Sequence, residues 1–156
     1  MDPFNFADAL LGVLAQRLVR RLCTHCGTSR PATSEEEDEL LHDYLHAFGD
    51  EHEMQARPAP ADLMADWRTR FGKNGKLMHC SATGCEKCGG TGFRGRAALH
   101  ELMMVSRGMR QLIQSGQRAD ELQRLALSEG MRTLRQDGIE KVLAGLTVIE
   151  EVRANS

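Results

Sequence analysis

The sequence predicts a mostly α fold: a small helical bundle carrying a tetracysteine module, with room for one short two-stranded β-ribbon. Three observations lead there. Aromatics make up only 4% of the 156 residues while Leu, Ala and Met are plentiful, which favours aliphatic helix packing over a β-sandwich. Apolar residues recur at helical spacing in several stretches. Two Cys-x-x-Cys pairs, Cys23/Cys26 and Cys85/Cys88, stand apart from one another with helix-forming sequence between them.

Asp8 to Leu22 reads as an amphipathic helix. Leu11, Leu14, Leu18 and Leu22 share one face, and Gln16, Arg17, Arg20 and Arg21 cluster elsewhere. The first cysteine pair follows at once. Ser34 and Glu37 have the spacing of a capping box and open a second helix that runs to about Phe48, where Gly49 stops it. Its acidic first turn suits the positive end of the helix dipole. After the break at Arg57-Pro58-Ala59-Pro60, Asp62 to Phe71 reads as a third helix with the only Trp. Gly72 to Gly75 is a turn, and Lys76 to His79 has the length of a short strand. Residues 84–95 hold five glycines in twelve positions, which is loop composition around the second cysteine pair. Arg96 to Val105 reads as an extended return strand. The rest is helical, with breaks near Gly116, Gly130 and Gly145, the last a C′ glycine, and Thr147 capping a final short helix.

Composition excludes several functions. No apolar run approaches the roughly 20 residues that cross a bilayer. The start, Met1-Asp2-Pro3-Phe4, lacks the basic region and cleavage site of a signal peptide, so a cytoplasmic chain is expected. The net charge of -2 hides an asymmetry: residues 31–56 hold nine acids and no Lys or Arg, leaving the remainder at about +7. The acidic stretch reads as a solvated surface. The basic excess is dispersed and lacks interleaved aromatics, so no nucleic acid is expected as a partner.

In a reducing compartment two Cys-x-x-Cys pairs point to a metal rather than to disulfides. Cysteines three apart across a tight turn can aim both sulfurs at one ion, and two such pairs complete a tetrahedral shell suited to structural zinc. The candidate ligands are Cys23, Cys26, Cys85 and Cys88. The 58 residues between Cys26 and Cys85 exceed a usual zinc ribbon and require a helical insertion. Cys80 leaves a second set open, Cys80 with Cys85 and Cys88 and either His79 or His25. Otherwise Cys80 is a bystander thiol, and His42, His46, His52 and His100 are surface or packing residues. A dithiol redox role for Cys23-Thr24-His25-Cys26 would need a strand before it and a helix after it. No phosphate loop is present: Gly72-Lys73 is followed by Asn74 and Gly75-Lys76 by Leu77. With no hydrolase or metalloprotease motif either, no catalytic residue is assigned.

Three segments carry a resemblance: Leu14 through Cys26, Gly84 through Leu102, and Glu129 through Val152 with Gly145 and Thr147. In order and content they resemble the C-terminal region of the type II secretion and type IV pilus assembly ATPases. The resemblance implies that residues 1–22 are the last helix of a RecA-like ATPase core, and 23–95 a tetracysteine zinc module with a helical insertion at about 31–79. Residues 96–156 would be a C-terminal helical domain. It further implies a hexameric parent beneath the inner membrane, using ATP and Mg2+ through a phosphate loop upstream of Met1, and an inner-membrane platform protein as partner. The chain alone is expected to be a monomer without ATPase turnover. Arg17 would lie either near a nucleotide or subunit boundary or on a solvated face. The 31–79 segment departs from the shorter linker common in the family. Cys85 through Gly92 also matches one CxxCxGxG repeat of J-protein chaperone zinc domains, and a free-standing zinc-ribbon adaptor is a further alternative.

Overall fold

The computed structural model describes residues 2–50 and 54–156. A short helix α1 (Pro3–Ala9) leads into strand β1 (Gly12–Leu22), and β2 (Gly27–Pro31) follows the first cysteine pair. Next come α2 (Ser34–Leu45) with a 3-10 turn at His46–Phe48, α3 (Pro60–Phe71) and β3 (Met78–Ala82). A 3-10 turn at Glu86–Cys88 carries the second pair into β4 (Phe93–Met104). Four helices finish the chain: α4 (Arg107–Gln114), α5 (Ala119–Ser128), α6 (Leu134–Leu143) and α7 (Ile149–Ala154).

The strands form two antiparallel ribbons, β1 with β4 and β2 with β3. The fold is therefore mixed α and β, which corrects the expected mostly α bundle. The decisive correction is β1: residues expected to be a helix from Asp8 to Leu22 pair with β4 from Gly12↔Met104 through Leu22↔Phe93. Leu14, Leu18 and Leu22 are four residues apart, a spacing that satisfies a period of two as well as one of 3.6. The burial decides between them. Val19 and its cross-strand neighbour on the same face, Leu99, are buried against Val152, with Leu134, Val142 and Ile149 packed around them. Leu14 and Leu18 instead stand 60% and 46% exposed on the other face, beside Leu102 and Met104.

A bulge ends the regular pairing. Between Arg20↔Arg96 and Leu22↔Phe93 the strand β4 carries an extra residue, and Gly95 takes it up at φ +82°. Beyond the bulge Leu22 is buried and donates its N–H to Leu146 O at 2.9 Å, fixing where the first cysteine pair begins.

The larger core unites the segment between the cysteine pairs with the C-terminal helices. Tyr44, Leu45, Phe48, Leu63, Met64, Trp67 and Leu77 share it with Leu127, Ile139 and Leu143. Trp67 is fully buried and meets Tyr44 edge to face at 5.4 Å between centroids. Ion pairs cross the same boundary: Arg70 binds Glu140, which Arg132 also holds, and Arg153 binds Asp43 at 2.7 Å.

Local signals were displaced by one residue in two places. Helix α2 does begin with a capping box, but it is built by Thr33 and Glu36 rather than Ser34 and Glu37. Thr147 does not cap α7, whose N-cap is Val148; the buried hydroxyl donates instead to Arg20 O at 2.8 Å, tying α7 to β1. Gly145 is the C′ residue of α6 at φ +81°, with Leu146 N donating to Lys141 O at 3.0 Å. No helix among the described residues is long and apolar enough to cross a membrane.

Candidate metal centre

The two ribbons bring the cysteine pairs together. β1 delivers Cys23 at its end, the turn into β2 carries Cys26, and the loop between β3 and β4 holds Cys85 and Cys88. One sulfur from each of Cys23, Cys26, Cys85 and Cys88 lies within 4.8 Å of all the others. Cys23 and Cys88 are buried, and Cys26 and Cys85 half-buried.

Glycine 92 locks the two loops. Its carbonyl accepts from Cys23 N at 2.9 Å, and its own N–H donates to Cys88 Sγ at 3.2 Å. The residue sits at φ +81°, and a Cβ there would come within 2.9 Å of Ala82 O. Both the backbone conformation and the space demand glycine. Cys85 N gives Cys88 Sγ a second hydrogen bond at 3.1 Å, and Thr91 Oγ1 holds Cys88 O at 2.8 Å. Sequence inspection missed these roles of Gly92 and Thr91. Their only advance signal was the density of glycines after Cys88.

The sulfur spacing tests the fit to a metal. Cys23–Cys85 and Cys85–Cys88 are 3.8 Å apart, and Cys26–Cys88 is 3.9 Å. A disulfide would need about 2.05 Å. A tetrahedral ion with metal–sulfur bonds of about 2.3 Å puts its sulfurs about 3.8 Å apart. The donor set and its spacing fit a tetrahedral thiophilic cation.

The electrostatics lead the same way. The Cys85 amide, helped by that of Gly92, holds the Cys88 thiol down to about 6. The Cys26 amide lowers Cys23 from its ordinary value. Burial pushes Cys26 up to about 11, and the neighbouring sulfurs raise it too. Four thiols this close cannot all be anions unless a cation balances them, and a bound divalent ion would draw off the remaining protons.

The alternative ligands stand elsewhere. Cys80 lies on β3 with its sulfur beside Gly145, and His79 Nδ1 is 2.7 Å from Glu36 Oε2. Among the described residues the four cysteines are the only His, Cys, Asp or Glu grouping able to share one ion, so neither Cys80 nor His25 joins it. His42 and His46 pack against each other at 6.4 Å, and His100 Nε2 meets Gln16 Oε1 at 3.2 Å. His52 lies outside the described residues. Arg17 is exposed on β1 and donates to its neighbour's carbonyl, Gln16 O. The Cys23–Cys26 pair follows a strand but runs into β2. It therefore lacks the helix N-terminus that activates a redox dithiol.

The family described as Type II/IV secretion system protein matches residues 1–154, and the chain belongs to that family. This sets aside the chaperone alternative. The chain is 36% identical to the type IV pilus assembly ATPase PilB of Thermus thermophilus, over all of this chain and 14% of that protein. It is 36% identical to type II secretion system protein E of Aeromonas hydrophila, over 97% of this chain and 24% of the relative. The Vibrio cholerae type II secretion system ATPase E is 34% identical over the same shares. The chain thus spans at most about a quarter of the length of these relatives.

Proposed function

We propose that the chain is the zinc-stapled C-terminal region of a hexameric ATPase that powers type II secretion or type IV pilus assembly, and that it is non-catalytic by itself. The observation that carries this reading is the four-sulfur cluster at zinc-like spacing, set between the two strands whose sequences match the family. Cys23, Cys26, Cys85 and Cys88 would hold the ion. Zinc, when bound, supplies a redox-inert tetrahedral cross-link. Gly92 and Thr91 orient the second loop, and the amides on Cys88 stabilise its thiolate.

In this reading residues 1–22 belong with the ATPase core, as the short helix α1 and strand β1 in place of one last helix. The exposed face of the β1–β4 ribbon, with Leu14, Leu18, Leu102 and Met104, is where the rest of that core packs. Residues 23–95 form the metal module, and 96–156 the helical domain that shares its core with α2 and α3. The phosphate loop, ATP and Mg2+ belong to the remainder of the motor. Its partners are neighbouring subunits and an inner-membrane platform protein, at the cytoplasmic face of the inner membrane. No nucleic acid takes part.

Two measurements test this. Elemental analysis of the reduced, purified chain should find one zinc per molecule, and a chain that folds without metal defeats the staple. ATP hydrolysis should be at background, and turnover by this chain alone would overturn the non-catalytic assignment.

A further inference from the structure

A groove of about 260 Å³ opens between α2, β3 and the start of α7, away from the sulfur cluster. Its floor is apolar, made by Leu40, Met78, Val142 and Ile149, and glutamates Glu36, Glu39 and Glu150 stand at its edge. No Lys or Arg lines it. The volume falls below the roughly 300 Å³ at which small-molecule pockets begin, and suits an anchoring side chain.

The three glutamates are not equally free. Glu36 is held by Arg30 at 2.7 and 3.0 Å and faces His79. Glu39 has only a 3.5 Å pair with Arg153, whose closer partner is Asp43 at 2.7 Å. Glu150 is exposed and makes no ion pair among the described residues. Glu150 therefore flanks the apolar floor without an ion pair, and Glu39 with only a long one. Glu39 also belongs to α2, within the stretch of nine acids and no Lys or Arg.

We propose that this groove docks an aliphatic side chain carried on a Lys/Arg-rich segment of a partner protein. The apolar floor supplies the anchor, and the flanking charges steer basic segments in and turn acidic ones away. A second copy of the chain is the weaker occupant. Its own apolar and basic stretch on β1 is compromised because Arg20 binds Glu151 at 2.6 Å and lies over the Phe93 ring. The inference does not depend on zinc or on ATPase parentage.

The test is to pan a phage-displayed random peptide library on the purified, reduced chain. Fluorescence anisotropy of the enriched peptides follows, against wild type and the exposed double variant Glu39→Lys/Glu150→Lys. Enriched peptides should carry an aliphatic residue flanked by Lys or Arg, bind more weakly as salt rises, and lose at least tenfold in affinity on the double variant. Cys80, on the groove wall, should be alkylated more slowly by iodoacetamide when peptide is bound, as read by peptide mass mapping. No enrichment, enrichment without basic residues, or unchanged affinity in the double variant overturns the proposal. A concentration-dependent dimer abolished by the same charge reversals also overturns it, in favour of self-association.

Discussion

Replacing Cys88 by serine is the most informative perturbation of the candidate metal centre. Cys88 is buried, lies 3.8 and 3.9 Å from two other sulfurs, and accepts two amide hydrogen bonds. Structural zinc contributes roughly 10–16 kcal/mol in small modules, so one of four thiolates accounts for about 3 kcal/mol. That corresponds to about a hundredfold in zinc Kd. Competition against a chromophoric chelator measures it directly. Hydrogen exchange then reports the structural range of the loss: the amides of Cys23 and Gly92, which are bonded within the cluster, should lose protection. Those of Leu127 and Ile139 lie in the separate large core and should keep theirs. Cys80→Ser is the control and should leave zinc affinity unchanged. Equal losses in Cys80→Ser and Cys88→Ser, or no loss in Cys88→Ser, would refute the four-sulfur assignment.

Three further outcomes follow from the packing. Gly138→Ala should destabilise by about 1–3 kcal/mol in urea denaturation because a Cβ there collides with Val152, although helix propensity alone favours Ala by about 1 kcal/mol. Thr147→Val should cost about 1–3 kcal/mol by leaving Arg20 O without its buried donor, with β1 amides exchanging faster. Glu36 is held down from 4.5 to about 2, chiefly by the Arg30 guanidinium. A depressed carboxylate stabilises the fold above its unfolded value and loses that contribution on acidification. The stability difference between wild type and Glu36→Gln should accordingly shrink as pH falls from about 4.5 to about 2, as followed by urea denaturation at each pH.

The parts legible in the sequence were those fixed by local chemistry. Cysteine spacing identified the residues the fold gathers, Gly145 ended its helix, and the extended stretch from Arg96 became most of β4. Residues 12–22 misled because leucines four apart satisfy both periodicities, and the arbiter is pairing with a strand some eighty positions away. Thr147 looks like a cap because a threonine before Ile-Glu-Glu fits that role locally. Its hydroxyl is taken by a carbonyl 127 positions away, which no window along the chain can contain. The shared core was invisible for the same reason. Helices α2 and α3 read as an appendage between metal-binding loops, yet Trp67 and Tyr44 complete the hydrophobic interior of the C-terminal helices.

The place of the sulfur cluster in the chain has a mechanical consequence. Cys23 meets Cys85, and Cys26 meets Cys88, each across 62 positions, so a bound ion closes the intervening polypeptide into a loop at its neck. Tension applied through β1 and β4 would peel that ribbon apart and then stop at the neck. The loop's share of contour, about 200 Å for 62 residues at some 3.3 Å each, would stay hidden until the metal–sulfur bonds gave way. If the chain is part of the motor proposed above, such a clasp would let load pass along the strands while shielding everything threaded between the cysteines.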